Sequence, residues 1–242
     1  MPERTIPAQA NDAATWTHPA LTITRLIVSP LHANCYLLTC RATGAVLVVD
    51  AGDEAARILA AIGWLTAGGA GRVAAIVNTH GHVDHTAAVG AVRAALGSIP
   101  VLMGPLDVEL VLGNGPDAAR LLGREYEPIL PDRTVDDGDE IRWGTCVLRV
   151  LAMPGHSPGG ICLYGHGVLL SGDTLFRCGV GSWRGFKGDR VALRASIRER
   201  LLPLPPDTMV YPGHGEPTTL AAEATGNRFP RRVDADRARP SE

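Results

Sequence analysis

Thr79-His80-Gly81-His82-Val83-Asp84-His85 places three histidines and one carboxylate within six residues. The apolar run Val73-Ala74-Ala75-Ile76-Val77 precedes it and an alanine-rich helical pattern follows, so the cluster sits where a buried strand meets a helix. His80 and His82 are two apart and face one side in extended chain. Gly81 between them adds no side chain and lets the backbone turn tightly. Asp84 and His85 open the helix and point elsewhere. One short loop therefore offers two sets of ligands in two directions, which suits two neighbouring metal ions better than one. Packing has no need of these groups, and burying them unpaired is costly.

Three other stretches repeat one local pattern. Val147 to Ala152 leads into Met153-Pro154-Gly155-His156, Val168-Leu169-Leu170 into Ser171-Gly172-Asp173, and Met209-Val210-Tyr211 into Pro212-Gly213-His214. In each, an apolar strand ends, a glycine turns the chain and a ligand-type side chain follows, which is where a rigid scaffold places chemistry. With the first cluster they make seven candidate ligands, five His and two Asp.

The rest of the chain is organised around these stretches. Strands are expected over 21–28, 34–40, 45–49, 73–77, 100–103 and 208–211, with hairpins over 140–152 and 160–170. Helices are expected over 54–66, 87–96, 105–112, 189–202 and 218–224, an irregular pocket rim over 113–131 and a glycine-rich loop over 177–188. Residues 1–20 read as a loose leader, 21–224 as one domain and 225–242 as a flexible tail. With 242 residues, 45% of them hydrophobic, a sizeable single-domain core is available. A formal net charge of −2 gives no nucleic-acid surface. The N-terminus lacks the apolar core of a signal peptide, and no run approaches the length that crosses a bilayer; the expectation is a cytoplasmic protein with no membrane partner. Cys35, Cys40, Cys146 and Cys162 lie in or beside strand-like runs and read as reduced core thiols, whereas Cys178 falls in a loop.

The ordered set T-H-x-H-x-D-H, P-G-H, S-G-D-T-L-F and P-G-H-G, spread between Leu21 and Thr219, resembles the metallo-β-lactamase superfamily. The resemblance implies an α/β fold, a four-layer αβ/βα sandwich of two packed sheets flanked by helices with the site along one edge. It implies two divalent ions, zinc first with iron or manganese as alternatives. His80, His82 and His156 would hold one ion and Asp84, His85 and His214 the other, with Asp173 bridging and Asp50 supporting the ligands from beneath. Asp84 and Asp173 would be the carboxylates of the catalytic centre, and a metal-bridging hydroxide would attack the substrate. The chain has neither a G-x-S-x-G nucleophile motif nor a glycine-rich phosphate loop, so metal-assisted hydrolysis of a small molecule is the expected reaction.

Within the superfamily, β-lactamases carry Cys or Ser where Asp173 stands, and RNA-processing relatives carry nucleic-acid-binding additions that are not evident here. The thioesterases resembling glyoxalase II share the whole pattern, including Ser171 to Phe176. The implied function is therefore a thioester hydrolase of the hydroxyacylglutathione hydrolase kind, in a short form, since too few residues follow His214 for a C-terminal helical domain. The loop 179–187 departs from the usual arginine-containing version and offers Trp183, Arg184 and Lys187 to a substrate. The main alternative is a persulfide dioxygenase with one Fe(II) held by residues matching His80, His156 and Asp173. A lactonase, a phosphodiesterase and a noncatalytic metal-binding protein are weaker alternatives.

Overall fold

Every second residue of the apolar strands faces a different layer, and that division builds the molecule. The computed structural model describes residues 13–231 apart from 68, 70 and 98. In the first half β1 (Ala14–Thr17), β2 (Leu21–Val28), β3 (Ala33–Cys40), β4 (Val46–Val49), β5 (Val73–Val77), β6 (Val101–Met103) and β7 (Arg133–Thr134) lie side by side in that order. They are antiparallel from β1 to β4 and parallel from β4 to β7. In the second half β8 (Glu140–Trp143), β9 (Cys146–Ala152), β10 (Ile161–Gly165), β11 (Val168–Gly172), β12 (Met209–Pro212) and β13 (Thr218–Thr219) form a second sheet, also in chain order. Only its β11–β12 pair is parallel.

The helices are α1 (Ala55–Thr66), α2 (Val83–Thr86), α3 (Val89–Leu96), α4 (Val108–Gly113), α5 (Gly115–Leu122), α6 (Arg190–Ser196), α7 (Leu220–Gly226) and α8 (Arg228–Arg231). Between the sheets, Leu21, Tyr36, Leu38, Leu47 and Val49 meet Leu148, Val150, Leu163, Leu170 and Tyr211. The alternate residues Leu26, Leu37, Val48 and Ile76 meet Ile58 and Ile62 of α1 and Val89 and Val92 of α3. On the far side Leu151, Cys162, Leu169 and Val210 meet Leu193, Ile197, Leu201 and Leu220. The result is the four-layer helix–sheet–sheet–helix sandwich. β4, covered on both faces, is an unbroken apolar run for that reason.

Several boundaries differ from expectation. Residues 14–17, assigned to a loose leader, form β1 and pair with β2, capping the sheet edge. The region 113–131 is not wholly irregular: α5 starts with Pro116 in its first turn, where a missing N–H costs nothing. The helix over 189–202 is capped by Asp189, whose carboxylate accepts from the Val191 and Ala192 amides, but after Ser196 it widens into a π-helical stretch, Ile197–Leu201. The helix expected from Thr218 starts at Leu220, since Thr218 and Thr219 pair with β12. Part of the expected tail is ordered as well: Asn227 is buried and α8 follows it. The outer parts of the leader and tail, 1–12 and 232–242, lie outside the described residues. No helix among the described residues is long and apolar enough to cross a membrane. Cys35, Cys40, Cys146 and Cys162 are buried free thiols, and Cys178 is exposed.

Candidate active site

β4 and β5 are parallel, as are β11 and β12, while β9 and β11 both run antiparallel to β10. The loops after β4, β5, β9, β11 and β12 carry Asp50, the His80–His85 cluster, His156, Asp173 and His214 respectively. The two halves are joined where these loops meet: the Ile161 amide donates to Thr79 O (2.8 Å), and the Asn34 amide to Gly213 O (2.7 Å).

The seven candidate ligands come together. His80, His82 and His156 converge in one group and Asp84, His85 and His214 in another, each with ligand atoms within 4.8 Å of one another. The two sets expected to point in separate directions are therefore neighbours, and the rings of His80 and His85 are 4.2 Å apart between centroids. Asp173 lies between the groups. Its Oδ2 is 3.6 Å from His156 Nε2 and 3.6 Å from His214 Nε2, and its Oδ1 is 3.5 Å from His85 Nε2. Gly213 stands where any Cβ would fall 2.2 Å from Asp173 Oδ1, so the P-G-H glycine is required by close approach. Gly81 is likewise glycine because a Cβ would lie 2.8 Å from Asp107 O, a packing demand beyond the tight turn expected of it.

The donor set fits metal. His80 Nε2 and Asp173 Oδ1 are buried yet meet no hydrogen-bond partner, an expensive arrangement unless something else satisfies them. His82 Nδ1 faces His156 Nε2 at 2.9 Å, and His85 Nε2 faces His214 Nε2 at 3.3 Å. Ring nitrogens facing one another need a proton or a cation between them.

Outer contacts orient the rings. Asp50 Oδ1 accepts from the Thr79 amide (2.7 Å), and its Oδ2 accepts from Thr79 Oγ1 (2.8 Å) and His85 Nδ1 (3.0 Å). Because the Thr79 hydroxyl donates to Asp50, it accepts from His80 Nδ1 (3.1 Å). His156 Nδ1 donates to Ser182 O (2.6 Å). Each of these three rings thus keeps its Nε2 lone pair for the centre.

The electrostatics suit cations. Burial, then the surrounding histidines, hold His80 well below the ordinary histidine range, and burial with His156 brings His82 to about 4. Burial opposes protonation of His85, but Asp84, Asp173 and Asp50 overcome it and raise His85 to about 10. Burial likewise works against the Asp84 carboxylate, yet His85 and His214 hold it well below the usual range.

The substrate residues expected from the 179–187 loop fare differently. Its backbone does line the cluster: a Cβ on Gly185 would be 3.6 Å from His82 Nε2. The Trp183 side chain instead packs in the helix-side core, 5.2 Å from the Phe229 ring and beneath Arg190. Lys187 pairs with Glu109 of α4 (2.5 Å). Arg184 is exposed, and its amide donates to Ser182 Oγ. The Cys178 amide donates to Glu223, and the thiol is not among the cluster.

Sequence patterns gave no sign of the residues that brace the loops. Arg25, Asn34 and Tyr36 point inward from β2 and β3, where they bond Gly215 O and Pro212 O beside His214. Asp107 does the same for the other loops. These residues read as ordinary strand or helix-start positions, because their partners lie more than a hundred residues away or in another loop.

A family model described as the metallo-beta-lactamase superfamily matches residues 28–214. The chain is 37% identical over 191 residues to a hydroxyacylglutathione hydrolase of Aeromonas hydrophila, covering 78% of this chain but 64% of that one. It is 30% identical over 206 residues to the hydroxyacylglutathione hydrolase GloC of Haemophilus influenzae, covering 84% and 94%. Among solved structures, TTHA1623 in a di-iron-bound form superposes with a TM-score of 0.74 at 39% identity (85% and 98% covered). The BLEG-1 B3 metallo-beta-lactamase gives 0.75 at 33% (86% and 99%), and ETHE1 from Myxococcus xanthus 0.71 at 26% (87% and 85%). Motif order, sandwich and relatives agree, and the chain belongs to the metallo-β-lactamase superfamily as a metallo-hydrolase.

Proposed function

We propose that the chain hydrolyses thioesters of the hydroxyacylglutathione kind at a two-ion centre. The observation that carries this reading is Asp173, an aspartate set between two complete ligand groups. Relatives named hydroxyacylglutathione hydrolase at 37% and 30% identity support it. His80, His82 and His156 would hold one ion and Asp84, His85 and His214 the other, with Asp173 placed to serve both; zinc is the first candidate, with iron or manganese fitting the same donors. When bound, the ions supply Lewis acidity and make water acidic enough to attack near neutral pH.

The chain's own part is orientation. Asp50 fixes the tautomers of His85 directly and of His80 through Thr79, one ring in each group. Ser182 O fixes that of His156. Among the described residues, neither Tyr211 nor His32 stands ready to protonate a departing amine. Tyr211 is buried, with its OH bound to His18 Nε2 (2.7 Å), and His32 sits exposed in the turn before β3. A thiolate departs without such help, because a thiol's pKa is about 8.5, whereas an amine leaving group needs a proton donor.

The test is kcat/KM on metal-quantified protein for an acyl-glutathione thioester, its oxygen-ester analogue, a lactone, a phosphodiester and a β-lactam. The thioester is expected to be fastest by at least about tenfold, or ~1.4 kcal/mol in the barrier. Equal or faster turnover of any other member overturns the reading, as does oxygen consumption with glutathione persulfide in place of hydrolysis.

A further inference from the structure

Asp107 is fully buried at the turn Pro105–Asp107 before α4, outside both ligand groups. Its Oδ2 accepts from the Gly81 amide (2.9 Å) and Ser157 Oγ (2.7 Å), and its Oδ1 accepts from the Gly159 amide (2.5 Å). Gly81 lies between His80 and His82, and Ser157 follows His156. One carboxylate therefore clamps together the two loops that carry all three members of the first group, loops from opposite halves of the chain. Asn114 adds a bond from its Nδ2 to Gly81 O (2.7 Å). The fit leaves no slack: a Cβ on Gly159 would lie 2.4 Å from Asp107 N, and one on Gly104 2.1 Å from Gly159 O. In the second group, the His85 ring is held by Asp50 and the His214 loop by Asn34, Tyr36 and Arg25, none of which touches Asp107.

We propose that Asp107 is the positioning residue of the first ligand group, setting the separation of His80 and His82 from His156 and hence the affinity of that ion alone. All three partners of its carboxylate are donors. In Asp107→Asn one oxygen becomes an NH2, so a donor faces a donor on at least one side and the clamp opens there. Residues that hold metal-binding histidines in place typically carry 10- to 100-fold in metal affinity. The inference rests on the two-group assignment above.

The experiment is competition titration with Zn2+ against a chromophoric chelator, on chelator-stripped protein, for the wild type and Asp107→Asn. Both are repeated on a His214→Ala background, which leaves the first group intact and cripples the second. Asp107→Asn is expected to weaken the ion retained on that background by about 10- to 100-fold, and to leave the other ion within about threefold. Ser157→Ala removes one of the three donors; it is expected to shift the same ion in the same direction by roughly two- to tenfold, the size of one hydrogen bond. If Asp107→Asn does not fold, Ser157→Ala carries the test. Unchanged affinity for the first ion, or equal weakening of both, overturns the inference. Should the wild type bind a single ion, the two-ion reading fails. Asp107 is then judged on that ion: tenfold weakening sustains its positioning role, and unchanged affinity removes it.

Discussion

Asp50→Asn tests the support beneath both ligand groups. The wild-type carboxylate is 2% exposed and accepts from three donors, the Thr79 amide, Thr79 Oγ1 and His85 Nδ1. An asparagine has one carbonyl oxygen for them. In its better orientation that oxygen keeps Thr79 Oγ1 and His85, and the NH2 confronts the Thr79 N–H. One buried backbone donor then goes unpaired, at a cost of about 1–3 kcal/mol. In the other orientation the amide faces His85 Nδ1 and the Thr79 hydroxyl, releasing the rings of His85 and His80 to the wrong tautomer. The second orientation takes away the anchor of the lone pairs aimed at the centre, and the first weakens it from a charged carboxylate to a neutral carbonyl, so about 10- to 100-fold in metal affinity or activity is expected to be lost. Urea unfolding of chelated protein measures the first quantity, and Zn2+ competition with kcat/KM at saturating metal the second. A variant with wild-type metal affinity for both ions would refute the argument, whatever its stability, because the tautomer anchor would then be dispensable.

Asp173→Ala is expected to weaken both ions and abolish turnover, while His166→Ala, at an exposed hairpin turn, leaves activity within about twofold; comparing them at saturating metal decides whether Asp173 serves both groups, and near-normal turnover of Asp173→Ala removes it from the mechanism. Elemental analysis after mild purification is expected to find close to two transition-metal ions per chain, and a stoichiometry of one that added metal does not raise would contradict the two-group assignment. Ion-free protein is expected to be most stable near pH 6.5: as pH falls from 6.5 to about 4 the unfolded chain takes protons that folded His82 refuses, and as pH rises from 6.5 to about 10 folded His85 gives up the proton that stabilised it. Melting temperatures of chelated protein across that range check it, and a monotonic profile would show that these two rings do not govern the pH dependence.

The primary structure by itself singled out the candidate ligands and most of the strands, and the family resemblance those motifs carry implied the layering. Seven ligand-type side chains after apolar runs have no use in packing, so their identity survives without coordinates. The strands follow from runs such as Val46–Val49, whose burial on both faces admits only apolar residues. Short-range signals misjudged places where distant contacts win: Ala14–Thr17 is ordered because β2 offers it an edge, and Arg228–Arg231 follows Asn227, which is held by Glu223 and Gly179. Only the tertiary structure decided that the two sets of ligands in the His80–His85 loop converge, because His156, Asp173 and His214 arrive from the other sheet. Only it turned Trp183 into a core strut and Lys187 into the partner of Glu109. Asp107 shows the same limit most plainly. At the start of a helical segment it reads as a helix-start acid, and its role exists only because Gly81, Ser157 and Gly159, up to 52 residues away, bring their donors to one carboxylate.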